Sequence, residues 1–278
     1  MTYEEKAFVF GCNESSLIGI AAIPEKPFQT GVLIVVGGPQ YRIGSHRQFL
    51  LLSRDLAESG IPCMRFDYRG MGDSEGDQRN FEEVEEDINS AVDAFFDRCP
   101  EMKKVILWGL CDAASASVFY AHQDPRISGL VLLNPWVRTV ESEAKARLKH
   151  YYLSRIFDAA FWKKLLSGKL EFGKSLKDFS GSVSSLGKNE DSGENLPLPE
   201  RLRKSLERFD GKILLILSGN DLTAREFEDL ANSPQWASLA ERMERMDLPD
   251  ADHTFSRRQW RDRVSSWTKS WVSAMNEA

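Results

Sequence analysis

An excess of positive charge, long apolar runs and closely spaced cysteines are all lacking in this sequence. The 278 residues include four cysteines, and Cys12, Cys63, Cys99 and Cys111 have the spacing of neither a zinc site nor a disulfide framework. The net charge of −6 argues against a nucleic-acid partner. No apolar run approaches the ~18–20 residues of a membrane span, and the opening MTYEEKAFVF lacks the basic and apolar regions of a signal peptide. These absences predict a cytoplasmic protein without a transmembrane segment.

Short apolar runs alternate with helical patterns along most of the chain. GVLIVV at 31–36 is apolar throughout, which is typical of a strand buried on both faces. The predicted strands are residues 7–10, 17–23, 31–36, 63–66, 104–108, 128–133, 212–218 and about 243–248. The predicted helices are residues 46–59, 81–95, 112–123, 223–235 and 257–275. This alternation predicts an α/β fold, a mostly parallel eight-stranded sheet with helices on both faces.

Residues 137–209 interrupt this alternation, and we interpret them as a helical lid inserted into a core of residues 1–136 and 210–278. Residues 145–177 contain nine Lys or Arg and two acidic residues, with aromatic residues interleaved. One interpretation is a lid with an aromatic inner face and a solvated basic outer face. The other is that the basic face contacts an anionic lipid or polymer surface. The polar, Gly- and Ser-rich segment 180–195 predicts a flexible stretch within the insertion.

The segment Gly109-Leu110-Cys111-Asp112-Ala113 joins a predicted strand to a predicted helix. Small residues at 109 and 113 allow the tight strand-to-helix turn called a nucleophile elbow, which would expose Cys111 and lay the N–H of Asp112 beside it. The helix N-terminus would also favour the thiolate. The alternative is a buried structural cysteine, because free cysteines are commonly buried.

Two glycine-rich turns follow neighbouring predicted strands. In VVGGPQYRIGSHRQF, Pro39 has no N–H, so a backbone donor for an oxyanion would be Gly38 or Gln40. The alternative is an ordinary Gly-Pro turn. In FDYRGMGDSEG, at 66–76, we expect tight turns and an Asp67–Arg69 pair with a structural role.

An acid and a base follow the last two predicted strands. Asp221 comes shortly after strand 212–218, where it could orient an imidazole or simply cap the next helix. His253 lies in the polar loop between the last strand and the last helix. Cys111, Asp221 and His253 thus follow separate strands in the order nucleophile, acid, base, which is the order of the α/β-hydrolase fold. Tyr41 and Trp136, which also follow strands, are expected substrate contacts.

With these motifs, the chain resembles the α/β-hydrolase superfamily over nearly its whole length. VVGGPQYRIGSHRQF, FDYRGMGDSEG and GLCDAAS are most similar to the exosortase A system-associated hydrolases, bacterial proteins encoded beside exopolysaccharide and protein-sorting machinery. The resemblance implies Cys111 as nucleophile, Asp221 as acid and His253 as base. It also implies the N–H of Asp112 as one oxyanion donor. Cysteine replaces the superfamily's usual serine, as in dienelactone-hydrolase-like enzymes.

The predicted chemistry is hydrolysis of an ester or thioester through an acyl-thioenzyme, with no metal or organic cofactor. The predicted partner is a small-molecule or acylated substrate. One alternative is acyl transfer to an acceptor other than water. The other is a non-catalytic interaction protein of the same fold in which Cys111 is vestigial. A haloalkane-type dehalogenase is disfavoured, since that chemistry needs Asp at the elbow.

Overall fold

The computed structural model describes residues 2–38, 40–138 and 196–277. It divides into two compact units, residues 1–137 with 199–278 and residues 138–198. The first unit contains the sheet and every residue of the predicted site. The flexible stretch predicted near 180–195 and most of the helical lid predicted for 137–209 lie outside the described residues, so both stay predictions.

The first unit is built on one sheet. Among the described residues the sheet has eight strands, in the spatial order β1-β2-β4-β3-β5-β6-β7-β8. Their bounds are β1 Tyr3–Cys12, β2 Ser15–Pro24, β3 Thr30–Val35, β4 Cys63–Asp67, β5 Lys104–Leu110, β6 Ile127–Leu133, β7 Lys212–Asn220 and β8 Met243–Asp252. β2 pairs antiparallel with β1 and β4, and the pairs from β4 to β8 are parallel. The predicted mostly parallel eight-stranded sheet is therefore confirmed.

Helices cover both faces of this sheet. Their bounds are α1 Gln48–Glu58, α2 Glu85–Arg98, α3 Asp112–Ala121, α4 Leu198–Arg208, α5 Leu222–Ala231, α6 Ala237–Glu241 and α7 Arg258–Glu277. Val32 and Ile34 of β3 pack in one cluster with residues of α1 and α7. Leu33 and Val35 point to the opposite face and are also fully buried. A strand buried on both faces explains why GVLIVV is apolar without alternation.

The parallel strands bring their carboxyl ends to one edge of the sheet. The loops that leave β3, β5, β6, β7 and β8 therefore meet at that edge, as in other open α/β sheets. Within the described part of the chain, no helix is both long and apolar enough to cross a membrane.

The turn after β4 pairs its charges differently from the sequence-based expectation. Asp67 is fully buried and pairs with Arg42, accepting a hydrogen bond from the Arg42 N–H at 2.6 Å. Arg69 pairs instead with Asp87 of α2, at 2.8 Å. The predicted Asp67–Arg69 pair is wrong, because each buried carboxylate takes a partner from a distant segment. The Arg42–Asp67 pair ties the loop after β3 to the end of β4.

Candidate active site

Cys111 lies on the sharp turn between β5 and α3. Its backbone has φ 63° and ψ −123°, and positive φ is rare for residues other than glycine. A Cβ at Gly109 would lie 2.6 Å from the backbone of Ala113, so a glycine is needed where strand and helix approach this closely. These are the features of a nucleophile elbow, with a thiol where serine is usual.

Backbone hydrogen bonds hold this elbow against the loop that leaves β6. The N–H of Cys111 donates to the carbonyl of Leu133 at 2.9 Å, and its own carbonyl accepts from the N–H of Trp136 at 3.2 Å. The hydroxyl of Ser115, on α3, donates to the carbonyl of Trp136 at 2.6 Å. The expected substrate contact Trp136 therefore lies directly beside the elbow.

Asp221 and His253 meet at the ends of β7 and β8. Oδ2 of Asp221 lies 2.8 Å from Nδ1 of His253. The same carboxylate caps α5, accepting hydrogen bonds from the N–H groups of Thr223 and Ala224 at 3.2 and 3.1 Å. The carboxylate therefore makes both contacts that the sequence left open, with the helix N-terminus and with the imidazole, and the cap fixes its position.

The imidazole of His253 is stabilised in its protonated form. Hydrogen bonds with Asp221 and with Cys111, aided by the charges of both groups, raise the pKa of His253 to about 10, although burial opposes the shift. The ring therefore carries a positive charge at neutral pH. An imidazolium here can stabilise a negative charge on sulfur and can give a proton to a leaving group.

Asn134, at the end of β6, fixes the loop that carries His253, and the sequence-based reasoning missed it. It is fully buried and has φ 44°. Its Nδ2 donates to Ser218 Oγ at 2.8 Å and to the carbonyl of His253 at 3.2 Å. Its Oδ1 accepts from the N–H of Ser218 at 2.9 Å. The available sequence signal was an amide side chain directly after a buried strand, at the edge where the other site residues were sought.

The loop after β3 carries both predicted candidates for the second oxyanion donor. Gly38 has φ 57°, and its N–H donates to Oδ2 of Asp112 at 2.8 Å. The side chain of Gln40 accepts a hydrogen bond from a backbone N–H five residues later at 3.0 Å. Tyr41 is 44% exposed, with its ring centroid 5.9 Å from the guanidinium of Arg42. The Gly38 N–H thus faces the residue that follows Cys111.

Asp112 places a carboxylate beside the elbow, at the first position of α3. Burial raises its pKa, against the opposing hydrogen bonds from the N–H groups of Gly38, Ala113 and Asp112 itself and the opposing charge of His253. The Ala113 N–H donates to Oδ1 at 3.0 Å. The sequence indicates a role for the N–H of Asp112 alone, and the contacts of its side chain are seen only in the structure.

The remaining cysteines differ from Cys111 in accessibility. Cys12, Cys63 and Cys99 are buried, whereas Cys111 is half-buried. Burial raises the pKa of Cys63 to about 12 and that of Cys99 to about 11. Within residues 2–38, 40–138 and 196–277, no group of three or more histidine, cysteine or acidic side chains could hold a metal ion.

Comparisons with solved structures agree with this architecture. An esterase of Pyrococcus furiosus superposes with a TM-score of 0.68 and 16% identity, covering 98% of this chain and 91% of its own. A thermostable carboxyl esterase of Bacillus coagulans superposes with a TM-score of 0.64 and 16% identity, covering 99% of each chain. At this level of identity the likeness shows a shared α/β-hydrolase fold.

Sequence comparisons identify the family. A curated polyketide transferase of a Penicillium species is 31% identical over 90 residues, and the match covers 31% of this chain and 31% of that protein. The family model described as serine aminopeptidase, S33 (Hydrolase_4) matches residues 30–181, which is more than half of the chain and includes the elbow. The chain therefore belongs to this family of α/β-hydrolase enzymes, with Cys111 at the elbow of a family named for serine.

Proposed function

We propose that the protein hydrolyses a carboxylic ester or thioester through Cys111, His253 and Asp221. The carrying observation is the imidazole of His253, whose Nδ1 lies 2.8 Å from Asp221 Oδ2 and whose pKa is raised by Asp221 and by Cys111 at the elbow. This is the relation of nucleophile, base and orienting acid that acyl transfer needs. Membership of a hydrolase family and the esterase fold of the structural neighbours support the same chemistry.

The first half of the reaction acylates the enzyme. The thiolate of Cys111 attacks the substrate carbonyl, forming a C–S bond while the carbonyl electron pair moves onto oxygen. Backbone N–H groups of Asp112 and of Gly38 or Gln40 hold this oxyanion, each worth roughly 3–4 kcal/mol of transition-state stabilisation. As the carbonyl re-forms, the bond to the leaving group breaks. The proton on His253 passes to the leaving alkoxide or thiolate.

The second half releases the acyl group. His253, now neutral, takes a proton from a water molecule whose oxygen attacks the thioester carbonyl. The C–S bond breaks, and sulfur leaves as a thiolate beside the regenerated imidazolium. Asp221 keeps its hydrogen bond to Nδ1 throughout, which holds the other ring nitrogen toward Cys111. No metal or organic cofactor takes part in either half.

The direct test is a panel of aryl esters and acyl thioesters of graded chain length, assayed with wild type, Cys111→Ala and His253→Ala. We expect turnover by wild type and its loss in both variants, with the preferred chain length defining the acyl group. Variants of Tyr41 and Trp136 should change KM and chain-length preference. Equal turnover by wild type and Cys111→Ala would contradict the proposed nucleophile.

Acyl transfer to an acceptor other than water is the second candidate. The observation that favours it is the partial likeness to a polyketide transferase. The same residues would form the acyl-thioenzyme, and an acceptor hydroxyl or amine would replace water in the second half. Product analysis in the presence of sugars, alcohols and amines separates the two, because a transferase forms the new ester or amide in preference to the free acid.

Membership of an enzyme family disfavours the alternative of a non-catalytic interaction protein, which makes an opposite prediction. Its Cys111 would not react with an acyl-like electrophile faster than a free thiol does. Labelling of wild type and Cys111→Ala with such a reagent therefore distinguishes it from both enzymes.

Two finer parts of the proposal rest on sequence alone. Similarity to the exosortase A system-associated hydrolases supports an acyl substrate linked to exopolysaccharide or exported proteins, acted on in the cytoplasm. The basic residues between 145 and 177 support peripheral contact with an anionic surface. Co-sedimentation with anionic and neutral liposomes at low and moderate salt tests this contact. Binding that ignores lipid charge would contradict it.

A further inference from the structure

The carboxylate of Asp112 accepts a hydrogen bond from a backbone N–H group that, in the proposed mechanism, could bind the oxyanion. Its Oδ2 accepts from the N–H of Gly38 at 2.8 Å, and its Oδ1 accepts from the N–H of Ala113 at 3.0 Å. The N–H of Asp112 itself also opposes the rise in the pKa of its own carboxyl group. The N–H of Asp112 is one expected oxyanion donor, and the N–H of Gly38 is one of the two candidates for the other.

The backbone beside Asp112 is shaped to admit this carboxylate. A Cβ at Gly37 would come within 2.1 Å of Asp112 Oδ1, 2.8 Å of the Ala113 nitrogen and 2.9 Å of the Ala113 Cβ. A side chain at position 37 would therefore push the carboxylate away from the loop. Glycine at position 37 therefore leaves the space that the carboxylate of Asp112, 75 residues further along the chain, occupies.

Other roles for the Asp112 side chain do not explain its contact with Gly38. An acidic residue in the first turn of α3 stabilises the helix end from solvent, without reaching across to the loop after β3. The orienting position beside the imidazole is already taken by Asp221. A carboxylate and a developing oxyanion carry charge of the same sign, and the Gly38 N–H donates to one acceptor at a time.

We propose that the Asp112 carboxylate is the resting occupant of the oxyanion hole and that the substrate carbonyl displaces it before Cys111 attacks. This inference rests on the proposed function, since it assumes acyl chemistry at Cys111. The exchange moves one hydrogen bond: the Gly38 N–H leaves the carboxylate and takes the carbonyl oxygen. No covalent bond changes in this step. The strength of the hydrogen bond between Asp112 and Gly38 therefore sets part of the free-energy cost of binding the substrate carbonyl in the oxyanion hole.

The test uses a trifluoromethyl ketone, which adds to a thiolate and gives a stable oxyanion in the hole. Asp112→Ala frees the N–H groups but keeps the backbone of residue 112. Asp112→Asn keeps the side chain's shape and leaves a weaker, uncharged acceptor. We expect the inhibition constant to fall in the order wild type, Asp112→Asn, Asp112→Ala. The whole difference should be about ten- to a hundredfold, the usual size for one hydrogen bond to a charged group.

Alkylation of Cys111 by iodoacetamide is the parallel control, because it needs the sulfur but forms no oxyanion. Its rate should change much less than the ketone constant in both variants, and thermal melting confirms that each is folded. Ketone affinity that is equal or weaker in both folded variants, with adduct formation intact, would overturn the inference and leave the proposed function standing. Failure of wild type and variants alike to form a Cys111–ketone adduct would overturn both.

Discussion

We expect replacement of Asn134 to lower the activity strongly, although it changes none of the three residues of the proposed triad. Asn134→Ala removes three hydrogen bonds, two buried ones with Ser218 and a partly buried one to the carbonyl of His253. At about 1 kcal/mol each, and with about 1 kcal/mol more for alanine at φ 44°, the free energy of unfolding should fall by about 4 kcal/mol. Loss of the bond to His253 should also lower kcat by about ten- to a hundredfold, because the imidazole is no longer held in register.

The assay separates positioning from stability. Activity is measured on an aryl ester at a temperature where every variant is folded, together with the rate of Cys111 alkylation by iodoacetamide at pH 7. That rate should fall in Asn134→Ala, because a displaced imidazolium supports the sulfur nucleophile less. Asn134→Gly relieves the backbone strain but restores no hydrogen bond, so its activity should stay low.

Asn220→Ala is the matched control. Asn220 also ends a strand at this edge of the sheet, but its exposed amide donates to the carbonyl of Asp250 at 3.1 Å and not to the His253 loop. It should keep nearly full activity and an unchanged alkylation rate. Wild-type kcat and alkylation rate in Asn134→Gly, or equal losses in Asn220→Ala, would refute the positioning role.

Three further predictions concern the charged pair and the thiol. Cys111→Ser should fold normally and lose about a hundredfold or more in turnover, because the proposed mechanism uses a thiolate beside an imidazolium; equal or higher ester hydrolysis would show that the thiolate is unnecessary. Because Asp221 and Cys111 raise the pKa of His253 from 6.5 to about 10, the stability gained from protonated His253 is fully present below pH 6.5 and is lost as pH rises to about 10. Urea unfolding should therefore show a larger gap between wild type and Asp221→Asn at pH 6 than at pH 10.5, and a constant gap would contradict the pairing. Iodoacetamide at pH 7 should label Cys111 but not Cys63, whose buried thiol has its pKa raised to about 12; mass mapping that finds equal labelling would contradict the environments described.

The sequence predicts the sheet well because its signals are local. The apolar run at 31–36 lies in β3, and helical spacing from residue 81 corresponds to a short 3-10 turn followed by α2. Two helices were not predicted. α6 has five residues, which is too short to show a period, and α4 begins in the polar, proline-containing segment assigned to the insertion.

Contacts within the candidate site depend on long-range packing, which one sequence does not reveal. Cys111, Asp221 and His253 could be picked out because each follows a recognisable strand. The partners of Asn134 lie 84 and 119 residues away, and the contact of Asp112 with Gly38 spans 74 residues. The expected Asp67–Arg69 pair failed for the same reason, since it assumed that neighbouring charges pair with each other.

Acylation of Cys111 is tested most directly by mass spectrometry of the enzyme after rapid acid quenching during turnover of an aryl ester. We expect one acyl group attached to Cys111 in wild type and none in Cys111→Ala. In His253→Ala, acylation of Cys111 should be much slower than in wild type. An acyl group on another residue, or Cys111 acylation in His253→Ala that matches wild type in rate and extent, would contradict the proposed mechanism.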